Sequence, residues 1–487
     1  MDASEDRANF LPALARLASL HEDPDARIAQ YFSVDVPTYI ARAPGRLDVM
    51  GGIADYSGAL VLQLPLARST FAILQRQTDP RCDIISHRGA GWDSFSMELS
   101  PLLDGRLKER AALAEWFAES TTDRWAAYIV GVVQLCLRGA VDDRRSPMPG
   151  LRLLIESDVP EGKGVSSSAA LEVATMSAVA AAYGFDMAAE KIAVASQLIE
   201  NEVVGAPCGI MDQMTSACGR RDRLLRLRCQ PGTIEGHLAI PRGSRFYGID
   251  SGLRHAVTGA DYGTVRTAAF MGYRIIADVA GFAAPYHNEH TLIEDPIWHG
   301  YLANISPQEY TERFEHALPE TMGGAEFLAR YNGITDRVTR VDRGRQYPVR
   351  RATAHPIHEQ ARVDRFAELL GELTTNPHAA IELGRLMYAS HESYSSIGLG
   401  SVGTDRLVAL VAEAGAHRGL FGAKITGGGS GGTVAILGAD AAEPVVREIA
   451  TRYADETGLT ADVFAESGPG ADETGVLLIE SGGRAPG

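Results

Sequence analysis

Cysteine is scarce in this chain, with five among 487 residues: Cys82, Cys136, Cys208, Cys218 and Cys229. No two stand at CxxC spacing, which excludes the commonest zinc and redox motifs. An odd, scattered set fits free thiols in a reducing compartment. No apolar run is long enough to span a bilayer. The N-terminus, MDASEDRANFLPALARLASL, lacks the basic start and continuous apolar core of a signal peptide. It is acidic first, then places Leu11, Leu14, Leu17 and Leu20 at helical spacing. Positive charge is also short, 46 Lys and Arg against 62 Asp and Glu, a formal net charge of −16. That balance argues against nonspecific binding to nucleic acid or anionic membranes. These absences point to a cytoplasmic protein with neither kind of partner. A polyanionic ligand would need a local basic or backbone-amide site. Neither a fixed-period repeat nor a GxxxxGK[ST] phosphate loop is found.

The composition, 45% hydrophobic and 22% charged, is that of a globular protein, and the length calls for two packed lobes. Val36 to Ala41 reads as a strand entering a turn at Pro44 and Gly45. Strand candidates follow at 59–66, in FAILQRQTD and in CDIISH. Helical composition covers 108–119, and 124–139 reads as a helix stopped by Gly139. Residues 151–162 form a strand broken at Pro160. An alanine-rich helix from Ser166 ends near Gly184, and another is expected over about 188–204. A new strand, SRFYGIDSG, opens near residue 243. Residues 281–350 carry little readable pattern. A helix then leads into GAKITGGGSGGTVAIL, a glycine loop between apolar runs. Strands and helices without regular βαβ alternation predict α+β lobes, divided as 1–242 and 243–487.

The most informative stretch is VPEGKGVSSSAALEVA (159–174). Gly162 and Gly164 allow a turn that larger residues resist. Ser166, Ser167 and Ser168 put hydroxyls and unpaired amides at a helix start, where the dipole favours phosphate. A serine cluster caps an ordinary helix equally well. Lys163, inside the glycine pair, is a further phosphate candidate.

PEGKGVSSSAA resembles the second motif of the galactokinase, homoserine kinase, mevalonate kinase and phosphomevalonate kinase superfamily (GHMP kinases). The resemblance implies a loop wrapped around ATP phosphates, with Ser168 helping to hold Mg2+. It also implies a ribosomal-protein-S5-like first lobe and a ferredoxin-like second. RAPGRLDVMGGIADYSGALVLQLPL (42–66) resembles the first galactokinase motif. Arg46 then falls near the transferring phosphoryl group and Asp55 on sugar hydroxyls. GAPCGIMDQMTSACG (205–219) resembles the third element, giving Asp212 the catalytic aspartate's place and Gly209 a place in the sugar site. Glu200 matches the magnesium-binding glutamate. RWAAYIVGV resembles a stretch near the adenine pocket, with Trp125 the first candidate and Tyr128 a second. DSGLRHAVTGADYGTVR (250–266) puts Tyr262 beside the sugar, and Gly427, Gly428 and Gly429 belong to the last superfamily motif. Together these matches run over roughly residues 36–437.

One departure bears on specificity. Galactokinases read GEHTDYNG where this chain has GGIADYSG (51–58). The glutamate and histidine that contact sugar hydroxyls, the one on C6 included, are here Gly52 and Ile53. An apolar filler suits a sugar without that arm, and L-arabinopyranose is D-galactose without its hydroxymethyl group. The wording is also similar to the kinase portion of plant L-arabinokinases. Those carry an additional N-terminal glycosyltransferase-like region, expected to be absent here because about 35 residues precede the motifs. The resemblance thus implies an ATP- and Mg2+-dependent sugar-1-kinase, a monomer or weak homodimer, acting on L-arabinose. Alternatives are galactose or galacturonate as substrate, with space at Gly52 admitting the larger sugar, or a sensor that binds ATP and sugar without turnover.

Overall fold

The computed structural model describes residues 7–88, 91–103, 105–142, 149–253, 260–287, 290–376 and 378–482. Its first sheet is built from β1 (Thr38–Met50), β2 (Leu60–Gln77), β3 (Arg81–Arg88), β4 (Gly91–Glu98), β5 (Gly150–Ser157), β6 (Arg223–Arg228) and β7 (Thr233–Ala239). Pairing is antiparallel except between β3 and β5. The second sheet holds β8 (Ser244–Asp250), β9 (Leu420–Ile425), β10 (Thr433–Ala439) and β11 (Val463–Phe464), in the order β9-β10-β8-β11, all antiparallel. With helices in both crossovers, that order is the βαββαβ ferredoxin-like arrangement. The expected α+β class is what the chain adopts.

The last strand, β12 (Val476–Ile479), returns to the first sheet and pairs with β1. A division at residue 243 therefore leaves the chain's end in the first lobe. Pairing covers a β1 edge that would otherwise expose unpaired backbone groups.

The expected turn at Pro44 and Gly45 is instead a bulge inside the thirteen-residue β1, with the register to β2 shifting between Pro44 and Arg46. A proline within a ladder is tolerated at such an irregularity. The two runs read separately at 59–66 and around 71–77 form one strand, β2, through Pro65.

Four helices carry the site. α1 (Ala127–Asp142) runs past Gly139, where a stop was expected, while α2 (Ser167–Tyr183) ends at a left-handed Gly184 as read. α3 (Ala189–Ile199) continues as a π-turn over Glu200–Val204, and α4 (Met211–Cys218) follows. Single π-turns cluster at functional positions. In the second lobe α5 (Ala260–Val279) packs on α6 (Val349–Glu372), which lies against α7 (Ala379–Ser396) and β2, while α7, α8 (Val402–Ala414) and α9 (Glu443–Thr457) pack on the second sheet. No helix of the described residues is long and apolar enough to cross a membrane.

Candidate functional site

The β1 bulge is where the motifs meet. Arg46 N donates to Val165 O at 3.0 Å instead of continuing the ladder, and Pro44 O accepts from Ser216 Oγ of α4 at 2.7 Å. A side chain at Gly45 would come within 2.7 Å of Val165 O, so glycine is what lets β1 lie against the phosphate loop. The Arg46 side chain is then delivered, 3% exposed, between the loop and α4. Its Nη1 donates to Gly164 O at 2.6 Å, while Nη2 and Nε donate to Asp212 Oδ1 at 2.7 and 2.9 Å. Asp212 lies in the first turn of α4 and stays one-fifth exposed. A buried guanidinium beside a partly open carboxylate is an arrangement for handling an anion and a proton at one point.

Gly162 and Gly164 take φ of +69° and +70°, the backbone for which their glycines were singled out, and Ser166 is left-handed at the α2 N-cap. The Ser166 Oγ is buried without a hydrogen-bond partner among the described residues. A serine that merely capped its helix would accept from the first turn's amides; this one makes no such cap and its hydroxyl stays unpaired among the described residues. Lys163 is differently engaged, its ammonium pairing with Asp250 of β8 at 2.9 Å. Glycines of the β9–β10 connection close the other side. A side chain at Gly427 would meet Gly164 O at 2.9 Å and the Arg46 Nη2 at 3.2 Å, and one at Gly432 would meet Lys163 O at 2.8 Å.

Behind Asp212 stands a group of buried carboxyls. Glu200, in the π-turn, receives hydrogen bonds from Ser168 and from Gln213 Nε2, the latter at 2.6 Å. Burial pushes its carboxyl up to about 7, with Asp212 adding to the rise. Glu172 of α2, fully buried, shares Gln213 at 3.3 Å and is held well above the usual carboxylate range by burial and by Glu200. Desolvated carboxyls of this kind ionise readily only beside a cation. The described residues hold no group of three or more His, Cys, Asp or Glu suited to a metal ion. Ser168 and Glu200 thus fit a cation whose remaining ligands come from elsewhere. Magnesium bound through one carboxylate, substrate phosphates and water is such a case. Burial raises the Tyr128 hydroxyl well above its ordinary range and nearby Glu200 and Glu172 add to the rise, whereas Trp125 packs on the first lobe's core.

Asp55 forms the far wall. It is 4% exposed, Oδ1 has no hydrogen-bond partner among the described residues, and burial with Asp212 nearby pushes its carboxyl up to about 7. Any side chain at Gly209 would land on this carboxylate, which explains the glycine. Tyr262 of α5 meets Tyr56 edge-on at 6.0 Å and hydrogen-bonds Arg266. The residues before it, 254–259 of the DSGLRHAV match, lie outside the described residues. Arg266 pairs bidentately with Asp336 at 2.8 and 2.9 Å and donates to Cys208 O at 3.1 Å. Neither residue was singled out from the sequence. Asp336 lies in the unreadable 281–350 stretch, which therefore supports the site; Tyr301 from the same stretch packs against Gly58.

Gly52 does not open a space. Tyr394 of α7 puts its hydroxyl where a side chain at position 52 would lie, accepts from Ile53 N at 2.8 Å and donates to Gly427 O at 3.2 Å. Ile53 is 1% exposed and packs with Tyr56, Tyr394 and Leu399. Asp48 receives Gly52 N at 3.0 Å and Gln63 Nε2 at 2.7 Å and pairs with fully buried Lys424 at 2.7 Å. Tyr394, Asp48 and Lys424 are long-range partners that no local sequence pattern marks.

A left-handed glycine loop at a helix start, an Arg–Asp pair beside it and a buried carboxylate with one unpaired oxygen beyond, on this α+β scaffold, suit the handling of a phosphate and a hydroxyl side by side. Three family models match in chain order: the galactokinase galactose-binding signature over 29–76, the GHMP kinases N-terminal domain over 127–220 and the GHMP kinases C-terminal domain over 367–455. The chain belongs to the GHMP kinase family. It is 39% identical over 534 aligned residues to an L-arabinokinase of Arabidopsis thaliana, covering 97% of this chain and 51% of that protein. The chain thus spans about half the length of that relative. It is 29% identical to a galactokinase of Chloroflexus aurantiacus, covering 89% and 92% of the two chains. Among solved structures it resembles Lactococcus lactis galactokinase complexed with galactose, with a TM-score of 0.70 at 18% identity over 93% and 99% of the chains. Methanococcus jannaschii mevalonate kinase matches with a TM-score of 0.51 at 14% identity, over 88% and 98%. At these identities the two structures speak for the fold alone.

Proposed function

We propose that this protein transfers the γ-phosphoryl group of ATP to the anomeric hydroxyl of L-arabinose, giving L-arabinose 1-phosphate and ADP. The observation that carries the reaction is the Arg46–Asp212 pair held against Gly164 of the phosphate loop. In this reading the anomeric oxygen attacks the γ-phosphorus, the bond to the β–γ bridging oxygen breaks, and Asp212 takes or orients the hydroxyl proton. Arg46 lies against the developing phosphoryl charge. Gly162, Lys163, Gly164 and Ser166 to Ser168 line the nucleotide phosphates, with Trp125 towards the base. Ser168 and Glu200 would hold Mg2+, which supplies charge neutralisation at the phosphates. Asp55, beside Gly209 and Tyr262, accepts hydrogen bonds from the sugar. Positioning and electrostatics provide most of the rate in such transfers, the proton acceptor about 10²–10⁴-fold.

L-Arabinose is favoured by the filled wall at Gly52 and Ile53 and by the 39% identity to an L-arabinokinase. The galactose-binding signature and the galactokinase relatives favour galactose as the second reading. A cytoplasmic protein with ATP and a small sugar as partners is in keeping with either. Coupled ADP-release assays with L-arabinose, D-galactose and D-galacturonate decide the matter. The expected order puts L-arabinose first; a galactose kcat/KM tenfold above that of arabinose removes it. Sugar binding by calorimetry with no phosphorylated product would establish a sensor instead.

A further inference from the structure

We propose that Tyr394, on the second lobe, sets the size of sugar the site accepts. The idea rests on the reading of Gly52 and Ile53 as the sugar-facing pair of the β1–β2 loop. Three observations carry it. The Tyr394 hydroxyl occupies the volume that a side chain at position 52 would need. It also takes the Ile53 N–H, at 2.8 Å, which is the donor the loop would otherwise offer a ligand. And it is fixed there: the ring is fully buried, its edge meets His355 at 5.1 Å, Lys424 Nζ lies 5.2 Å from its centre, and the hydroxyl proton goes to Gly427 O at 3.2 Å. A sugar with an exocyclic hydroxymethyl group thus meets a filled volume and an amide already spoken for. One that ends at the ring carbon requires neither.

Tyr394→Phe removes one oxygen, opening that volume and freeing the Ile53 amide for a hydroxymethyl oxygen. A site with an unpaired donor discriminates strongly in favour of the ligand that pairs it. The expected result is a rise of roughly tenfold or more in the ratio of kcat/KM for D-galactose to that for L-arabinose. A variant that loses both activities in equal proportion, with the ratio within about twofold of the parent (below the ~10-fold floor for a one-group change), overturns the proposal. The parent's own preference tests the substrate reading separately, because the proposal concerns only the change. If the parent turns over neither sugar, the same ratio is read as calorimetric affinities. Gly52→Ala adds a measurement independent of any sugar. Its methyl should lower Tm clearly in the parent and by less in the Tyr394→Phe background, because the hydroxyl is the closest obstacle. The contacts with Asp48 Oδ2 at 2.7 Å and the ring Cζ at 2.9 Å and the strain of φ +46° are common to both. Equal losses in the two backgrounds would mean that the tyrosine does not fill this space, and the proposal fails.

Discussion

At the scale of single residues, the site turns on carboxyl groups that the fold has placed in unlike surroundings. Asp212 is partly open and clasped by Arg46, whereas Asp55 and Glu200 are buried and pushed up to about 7. Asp212→Asn keeps the volume and the contact with Arg46 but cannot accept a proton. We expect kcat to fall by about 10²–10⁴ while sugar affinity survives; unchanged turnover in single-turnover assays would deny Asp212 its role. For the raised pair the sign of the pH effect follows directly. The folded state holds these protons from about pH 4 up to about 7, where the unfolded chain has lost them, so both groups favour folding below pH 4 and lose that contribution as pH rises through 7. At 1.36 kcal/mol per unit, the rise of Asp55 from 3.8 to about 7 sets a ceiling near 4 kcal/mol. Asp55→Asn should therefore raise the Tm of the ligand-free protein at pH 7.5 relative to the parent, and do so much less at pH 5. A Tm difference independent of pH would show that Asp55 is not the group titrating.

Among elements, the β1 bulge does what a turn in the same place could not. It keeps Arg46 on a rigid strand while turning two backbone groups towards the phosphate loop and α4. The sequence marked the right residues, Pro44 and Gly45, but local preference reads both as a turn; only pairing with β2 over the full strand reveals a bulge. The phosphate loop and the α2 start were legible because their chemistry is local, with glycines at left-handed positions and serines at a helix N-terminus. Asp55, Arg46 and Asp212 were legible only through family likeness, and Arg266 with Asp336 not at all, because their partners lie far along the chain. The loop ahead of α4 gives a test at this scale. Gly209→Ala drives a methyl onto the Asp55 carboxylate, so either the loop or Asp55 must move. Sugar KM should rise by an order of magnitude or more, since even a small misplacement costs about 10²-fold, with ATP KM little changed. Equal weakening of both substrates would indicate a general collapse of the site.

Across the whole molecule, the site is a seam between lobes, and its strongest stitch is the Asp48–Lys424 pair. Asp48 comes from β1 of the first sheet and Lys424 from β9 of the second, and neither side chain is exposed. Asp48 also takes Gly52 N and Gln63 Nε2, and its own amide donates to Thr426 Oγ1 at 2.7 Å. A buried ion pair need not stabilise relative to well-packed apolar residues, but removing one partner strands the other charge. Lys424→Met should therefore cost about 3–5 kcal/mol. Adding Asp48→Asn should recover a substantial part of the loss, because the stranded charge is gone. The double variant should also keep the sugar loop's setting, since Gly52 N and Gln63 Nε2 both donate to Asp48 Oδ1, which an Asn carbonyl replaces, whereas the lost Oδ2 serves only Lys424. Urea denaturation of parent, single and double variants measures the stability, and sugar KM measured alongside reads the loop. Additive losses in the double variant would show that the two charges do not act as a pair. Recovered stability without recovered sugar affinity would show that the charge on Asp48, and not only its Oδ1 acceptor, sets the sugar loop.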